Sequence, residues 1–327
     1  MAPTPRLKRS ACLALTVTAA AAAGQPLFAF CFTGRSTDPL RMAPGVNWLG
    51  GDFDAEYWHV PSVIGHHSDA AGWSRCSRDL MAVGMTRSDP PESDPAVLIE
   101  SVYTELIERL RQAGYPELLR IWNYLPAINA GQGHSERYRR FCLGRGRALS
   151  AAGLDDSRMC AATAIGTADD RFRLVALAAR SAGRSFENPR QVSAWRYPDE
   201  YGPRSPAFAR ATALNLEDGR PALLISGTAS VVGHATAHRG NVLAQTDEAA
   251  RNVDILLEEA AQRTGQPHLS KLDAASLVRV YVRHAADWPM VEARLRQRWP
   301  GVALAGLRGD ICRRDLLVEV EAWHSDR

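Results

Sequence analysis

Near its C terminus the chain reads GDICRRDLLVEVEAW (309–323), with two glutamates, Glu319 and Glu321, set into an otherwise core-like run. If 315–323 is extended, Leu316, Val318, Val320 and Ala322 share one face, and Leu317, Glu319, Glu321 and Trp323 share the other. A carboxyl walled by Leu and Trp has its ionised form disfavoured, which is the condition for a proton donor near neutral pH. The pattern fits equally a glutamate at a strand edge or one held in an ion pair, and the residues alone leave these readings open.

Two further clusters carry groups suited to an anion. On a helix, RYRRFCLGR (137–145) puts Tyr138, Phe141, Cys142 and Arg145 on one face. Phe141 and Cys142 read as core, so Tyr138 and Arg145 point into whatever that face covers, unless Arg145 runs out to solvent over the tyrosine. The loop YGPRSPAFARAT (201–212) holds Tyr201, Arg204 and Arg210 among turn formers, an arrangement of anion-binding loops and of plain surface alike. Other chemistries lack their residues. ISGTASVVGHATAHRG (225–240) contains neither GxGxxG nor GxxxxGK[ST], and no GxSxG elbow occurs. His234 and His238 have no third ligand in view and His66-His67 stands alone, so no metal is expected.

The elements that must position these groups are legible as periodicity. Ile99, Val102, Leu106, Ile107 and Leu110 recur at helical spacing over 96–114, closed by Gly114 and followed by a strand over 117–125. A second helix spans 135–153, with Ser135 as its cap. Later come a strand (221–233), a helix (246–265, Thr246 as cap), a strand (276–284), a short helix opening at Asp287-Trp288-Pro289, and the terminal strand. In both halves a long helix leads to a similar strand, RIWNY or RVYVRH. This weak repeat predicts an α+β fold with two similar domains, 1–155 and 156–327, the second carrying Glu319.

Composition narrows the class. At 327 residues, with 46% hydrophobic and 23% charged residues, the chain is globular, and a net charge of +3 is too small to argue for nucleic acid. Arginine greatly outnumbers lysine, which suits carboxylate ligands and equally a GC-rich genome. Six cysteines without CxxC pairs predict reduced thiols and a cytoplasmic protein. RLKRSACLALTVTAAAAAG (6–24) has the outline of a secretory signal, but it reads also as a first strand and an alanine-rich turn before the strand FAFCFTG. Its apolar stretch is too short to span a membrane.

The stretches ISGTASVVGHATAHRGNVLAQTDEAARNVDILLEEA (225–260) and ICRRDLLVEVEA (311–322) resemble the Rid/YjgF fold, and within it the chorismatases, which split chorismate into pyruvate and a cyclic product. RIWNYLPAIN (120–129), ERYRRFCLGR (136–145) and YGPRSPAFARA (201–211) are similar to that family too, so the likeness runs from about residue 95 onward. It implies two Rid/YjgF-like domains, mixed sheets with helices packed on one face, and no cofactor. Rid-type imine deaminases carry an Arg shortly before the final strand. Here that region reads GVALAGLRGD (301–310), with no Arg at the matching place, which disfavours imine hydrolysis, while Glu319 argues against a simple metabolite-binding module. The resemblance makes Glu319 the acid. It makes Cys312 and Gly227 marks of the branch that forms 3-hydroxybenzoate, a branch that includes the xanthomonadin and ubiquinone-precursor enzyme yielding 3- and 4-hydroxybenzoate. Tyr138, Arg145, Tyr201 and Arg210 are the expected partners of the two substrate carboxylates. A cytosolic substrate favours the first-strand reading of 6–24, and the chain is expected to be a homotrimer or a monomer whose second domain stands in for a neighbour.

Overall fold

The computed structural model describes residues 12–21, 26–33, 41–156, 159–217 and 219–325. The chain opens with β1 (Thr16–Thr18), β2 (Pro26–Cys31), β3 (Arg41–Met42), β4 (Asn47–Gly51) and β5 (Ala55–His59). A first series follows: β6 (Gly65–Asp69), β7 (Gly72–Cys76), β8 (Leu80–Ser88), α1 (Pro95–Gln112), β9 (Glu117–Pro126), α2 (Arg137–Ala151), β10 (Ala161–Thr167) and β11 (Arg171–Ala179). The second comprises β12 (Arg184–Phe186), β13 (Ala211–Asn215), β14 (Pro221–Ala229), a small hairpin of β15 (Val231–Val232) and β16 (Ala235–Thr236), and α3 (Val242–Thr264). It ends with β17 (Leu277–Val282), α4 (Trp288–Arg298), β18 (Ala303–Arg308) and β19 (Val318–Ser325).

The two series repeat one topology. The first forms a sheet in the order β10-β9-β11-β8-β7-β6; the second, read from the other edge and without the added β4, runs β18-β17-β19-β14-β13-β12. Each has one parallel pair, β9 with β10 and β17 with β18. The architecture is α+β, as expected. Residue 155, where the sequence alone divides the chain, falls between α2 and β10, inside the first series. The sequence repeat rested on α1 and β9 and gave no weight to β10 and β11, which complete that sheet. β4, in turn, crosses to pair with β18.

Each sheet buries one face under helices. Ile99, Val102, Leu106 and Leu110 of α1 pack with Val83, Ile121 and Leu174, while Val253, Leu256 and Leu257 of α3 pack with Val278, Val280, Val318 and Val320. Each such side chain contributes about 1.5–3 kcal/mol. α2 lies close on α1 because residue 144 is glycine: a Cβ there would sit 2.1 Å from the Ala96 carbonyl oxygen. The other faces of both sheets meet in a shared core capped by a four-stranded sheet, β1-β5-β2-β3, where Phe28, Trp58, Trp122 and Trp323 interlock.

Helix starts differ from the sequence expectation where a better cap lies nearby. Asn241, not Thr246, caps α3, its side chain accepting from the Ala244 N–H at 3.0 Å; Thr246 lies a turn inside and donates to the Val242 carbonyl. Ser135 belongs to a 3₁₀ turn, and Glu136 precedes α2. Of the stretch 6–24, residues 12–21 are described; there β1 pairs with β5, as the first-strand reading has it, and the rest lies outside the described residues. No helix among the described residues is long and apolar enough to cross a membrane.

Candidate active site

β19 is buried on both faces. Val318, Val320 and Ala322 pack with the α3 and α4 side chains. Glu319 and Glu321, 4% and 2% exposed, turn into the seam between the two sheets. Leu316 does not share the first face: it precedes the strand, in the turn, and lines the cleft instead.

The glutamates have opposite surroundings. Glu321 receives Arg120, Arg279 at 3.0 Å, the Tyr281 hydroxyl at 2.9 Å and the Thr163 hydroxyl, so it is an ion-paired carboxylate. Arg279 is itself shared with Glu56, which takes its Nε and Nη2 at 2.9 and 2.7 Å, and it lies over the Phe30 ring. Register with β9 and β17 shows where this pair arises. Arg279 faces Glu321 as Arg120 faces Leu177, and Tyr281 faces Glu319 as Trp122 faces Val175. The first unit thus has apolar residues where the second has carboxylates, and its arginine is free to serve the other unit's glutamate.

Glu319 fits only because of its neighbour strand. Pairing of β14 with β19 shifts between Ile225 and Thr228, a bulge at Ser226-Gly227. A Cβ on Gly227 would stand 2.0 Å from Glu319 Oε1. The bulge is held by the Gly227 N–H donating to Thr163 Oγ1 at 2.9 Å, the same hydroxyl that accepts from Arg120. Burial pushes the Glu319 carboxyl up to about 8, the Glu321 carboxylate adding to the shift and Arg120 and Arg210 opposing it. Glu319 is therefore a neutral acid at pH 7. Its raised value makes folding stability complete below the ordinary glutamate range and lost as pH rises toward 8. The melting temperature of wild type should accordingly fall relative to Glu319→Gln between about pH 5 and 8, and a pH-independent difference would contradict this.

Glu319 forms the floor of a cleft of ≈ 500 Å³. Six of the seven residues singled out in the sequence line it: Glu319, Cys312, Tyr138, Tyr201, Arg210 and Gly227. The seventh, Arg145, lines an adjoining recess of ≈ 40 Å³ shared with Tyr138, Gly227, Cys312 and Glu319. α2 places Tyr138 and Arg145 from the first unit. The segments around β13, β14 and β19 supply the rest from the second.

Their states differ. Arg145 is 4% exposed, its guanidinium over the Tyr103 ring at 5.3 Å, and its Nε and Nη2 have no hydrogen-bond partner among the described residues. Arg210 gives Nη2 to the Tyr197 hydroxyl at 2.8 Å and the Val192 carbonyl, leaving Nε unpartnered. Burial raises the Tyr138 hydroxyl well above its ordinary value, and the Cys312 thiol up to about 12, with Glu319 adding to both. Cys312 is thus a neutral thiol, not a nucleophile. Tyr201 meets His234 Nδ1 at 3.2 Å, whereas His238 pairs with Glu248; the two histidines serve different partners. Sequence reasoning missed Arg313, which stacks on Tyr201 at 4.1 Å, and Thr163, one of two hydroxyls in the small-residue strand AATAIGT without any motif to mark it.

Comparison with known proteins identifies the family. The family model "Chorismatase FkbO/Hyg5-like, N-terminal" matches residues 56–178. A chorismatase of Streptomyces rapamycinicus is 38% identical over 278 residues, 82% of this chain and 81% of that protein. A 3-hydroxybenzoate synthase of Streptomyces hygroscopicus is 38% identical over 241 residues, 71% of this chain and 70% of that protein. A crystal structure of a chorismatase superposes with a TM-score of 0.78 and 31% identity, covering 98% of this chain and 95% of that one. The chain belongs to the chorismatase family.

Proposed function

We propose that the protein cleaves chorismate to 3-hydroxybenzoate and pyruvate, with Glu319 as the acid. The observation that carries this reading is a buried, neutral carboxyl at the floor of a cleft beside an unpartnered buried guanidinium. The name of the Streptomyces hygroscopicus relative supports the product. Chorismate is a dianion whose enolpyruvyl ether is activated by protonation at the methylene carbon. Glu319 gives that proton; water adds to the oxocarbenium so formed, and the hemiketal collapses with cleavage of the pyruvyl carbon–oxygen bond, releasing pyruvate and leaving a hydroxyl on the ring. Loss of water from the ring leaves the aromatic acid, so the atoms of chorismate divide between the two products.

Arg145 and Arg210 take the substrate carboxylates, with Tyr138 and Tyr201 as hydrogen-bonding walls. The Gly227 bulge leaves the room in which Glu319 approaches the ether. Because α2 of the first unit and β19 of the second both line the cleft, one chain supplies the whole site, which supports a monomer as the working unit. Cys312 shapes the recess and steers the intermediate to aromatisation. Cys312→Ala is expected to shift the product from 3-hydroxybenzoate, and any accompanying 4-hydroxybenzoate, toward the dihydroxycyclohexadiene acid. An unchanged product ratio by chromatography removes Cys312 from that role. The reading as a whole is tested by pyruvate release from chorismate.

A further inference from the structure

The buried ion pairs under the cleft extend well beyond the acid's own neighbours. Glu56 is 3% exposed and comes from β5 in the small N-terminal sheet, on the far side of the shared core. It takes the Nε and Nη2 of Arg279 and the Trp58 indole N–H, the last at 2.7 Å. The remaining Nη1 of Arg279 goes to one oxygen of Glu321, and Arg120 takes the other. Two carboxylates and two guanidinium groups therefore close a neutral chain, and none of its donors is directed at Glu319.

We propose that Glu56 is a positioning residue for the acid, acting through Arg279 and Glu321: it occupies one guanidinium so that the arginines do not face Glu319 as uncompensated cations. The inference rests on the reading of Glu319 as the acid. The charged and titratable groups around Glu319 come from several elements. Glu321 shares its strand, Arg120 comes from β9, Tyr281 faces it from β17, and Arg210 stands at the head of β13. From α2 come Tyr138 and Arg145, and from the turn Cys312 and Arg313. Glu56 lines neither the cleft nor its recess. Neutralising it changes the charge beneath the acid without altering the surface that meets substrate.

The sign follows from charge balance. Glu56→Gln leaves the chain at +1, which favours ionised Glu319, so the alkaline limb of turnover moves down by about one pH unit. Arg279→Gln leaves it at −1 and moves the limb up by a similar amount; the double variant returns it toward wild type. The opposite signs mean that one folded single variant suffices. The experiment is the pH–rate profile of chorismate cleavage, paired with a substrate-free titration of the protonated-carboxyl infrared band, assigned by its loss in Glu319→Gln. Displacement of that band in the stated directions supports the relay. A band that titrates at the wild-type pH in both variants overturns it, even if both lose turnover. Bands displaced as stated in the variants, together with wild-type protein that does not cleave chorismate, would instead remove the proposed reaction and leave the relay standing.

Discussion

Replacing Glu319 by Gln is expected to reduce chorismate cleavage by about 10²–10⁴-fold or more, the usual cost of removing a general acid, while chorismate still binds. Glutamine has the same outline, so it occupies the space that Gly227 leaves open, but it has no proton to give. The loss should therefore fall on kcat and leave KM largely in place. Pyruvate release at near wild-type rate by this variant would remove Glu319 from the chemical step. The same acid sets a pH dependence: with its carboxyl near 8, wild-type turnover should decline above that pH as the proton is lost.

The second large effect concerns Arg145. A buried guanidinium with two unpartnered nitrogens carries a desolvation cost in the free protein that a bound carboxylate would relieve. Arg145→Met is expected to weaken chorismate binding by about 10–100-fold, the range of charge-assisted hydrogen bonds at about 1.5–3 kcal/mol. The same variant should melt at an equal or higher temperature, because the uncompensated charge is gone. That pairing separates a ligand-binding arginine from a structural one, whose loss would lower stability and leave KM unchanged.

The sequence made different parts of this legible to different degrees. Periodicity located α1, α2 and α3 within a few residues, because each buries one face and so carries a period, while β9, β17 and the final strand, buried on both faces, stood out as short apolar runs beside turns. The resemblance between RIWNY and RVYVRH marked a true repeat, since Arg120 and Arg279 occupy matching positions on β9 and β17. What did not show was that both arginines converge on Glu321, because that contact joins residues 201 apart in one case and 42 in the other. A glutamate on a strand has the same local sequence whether it is paired or neutral. Burial of both faces of β19, and the absence among the described residues of an arginine aimed at Glu319, separate the two roles, and neither is a property of the strand itself. Gly227 is similar: its reason is an atom 92 positions later in the chain, across a bulge.

Incubation of the purified protein with chorismate, assaying pyruvate and identifying the ring product by chromatography, tests the reaction itself. Equimolar pyruvate and 3-hydroxybenzoate are expected, both abolished in Glu319→Gln. No pyruvate from chorismate, or ammonia release from 2-aminoacrylate in its place, would contradict it.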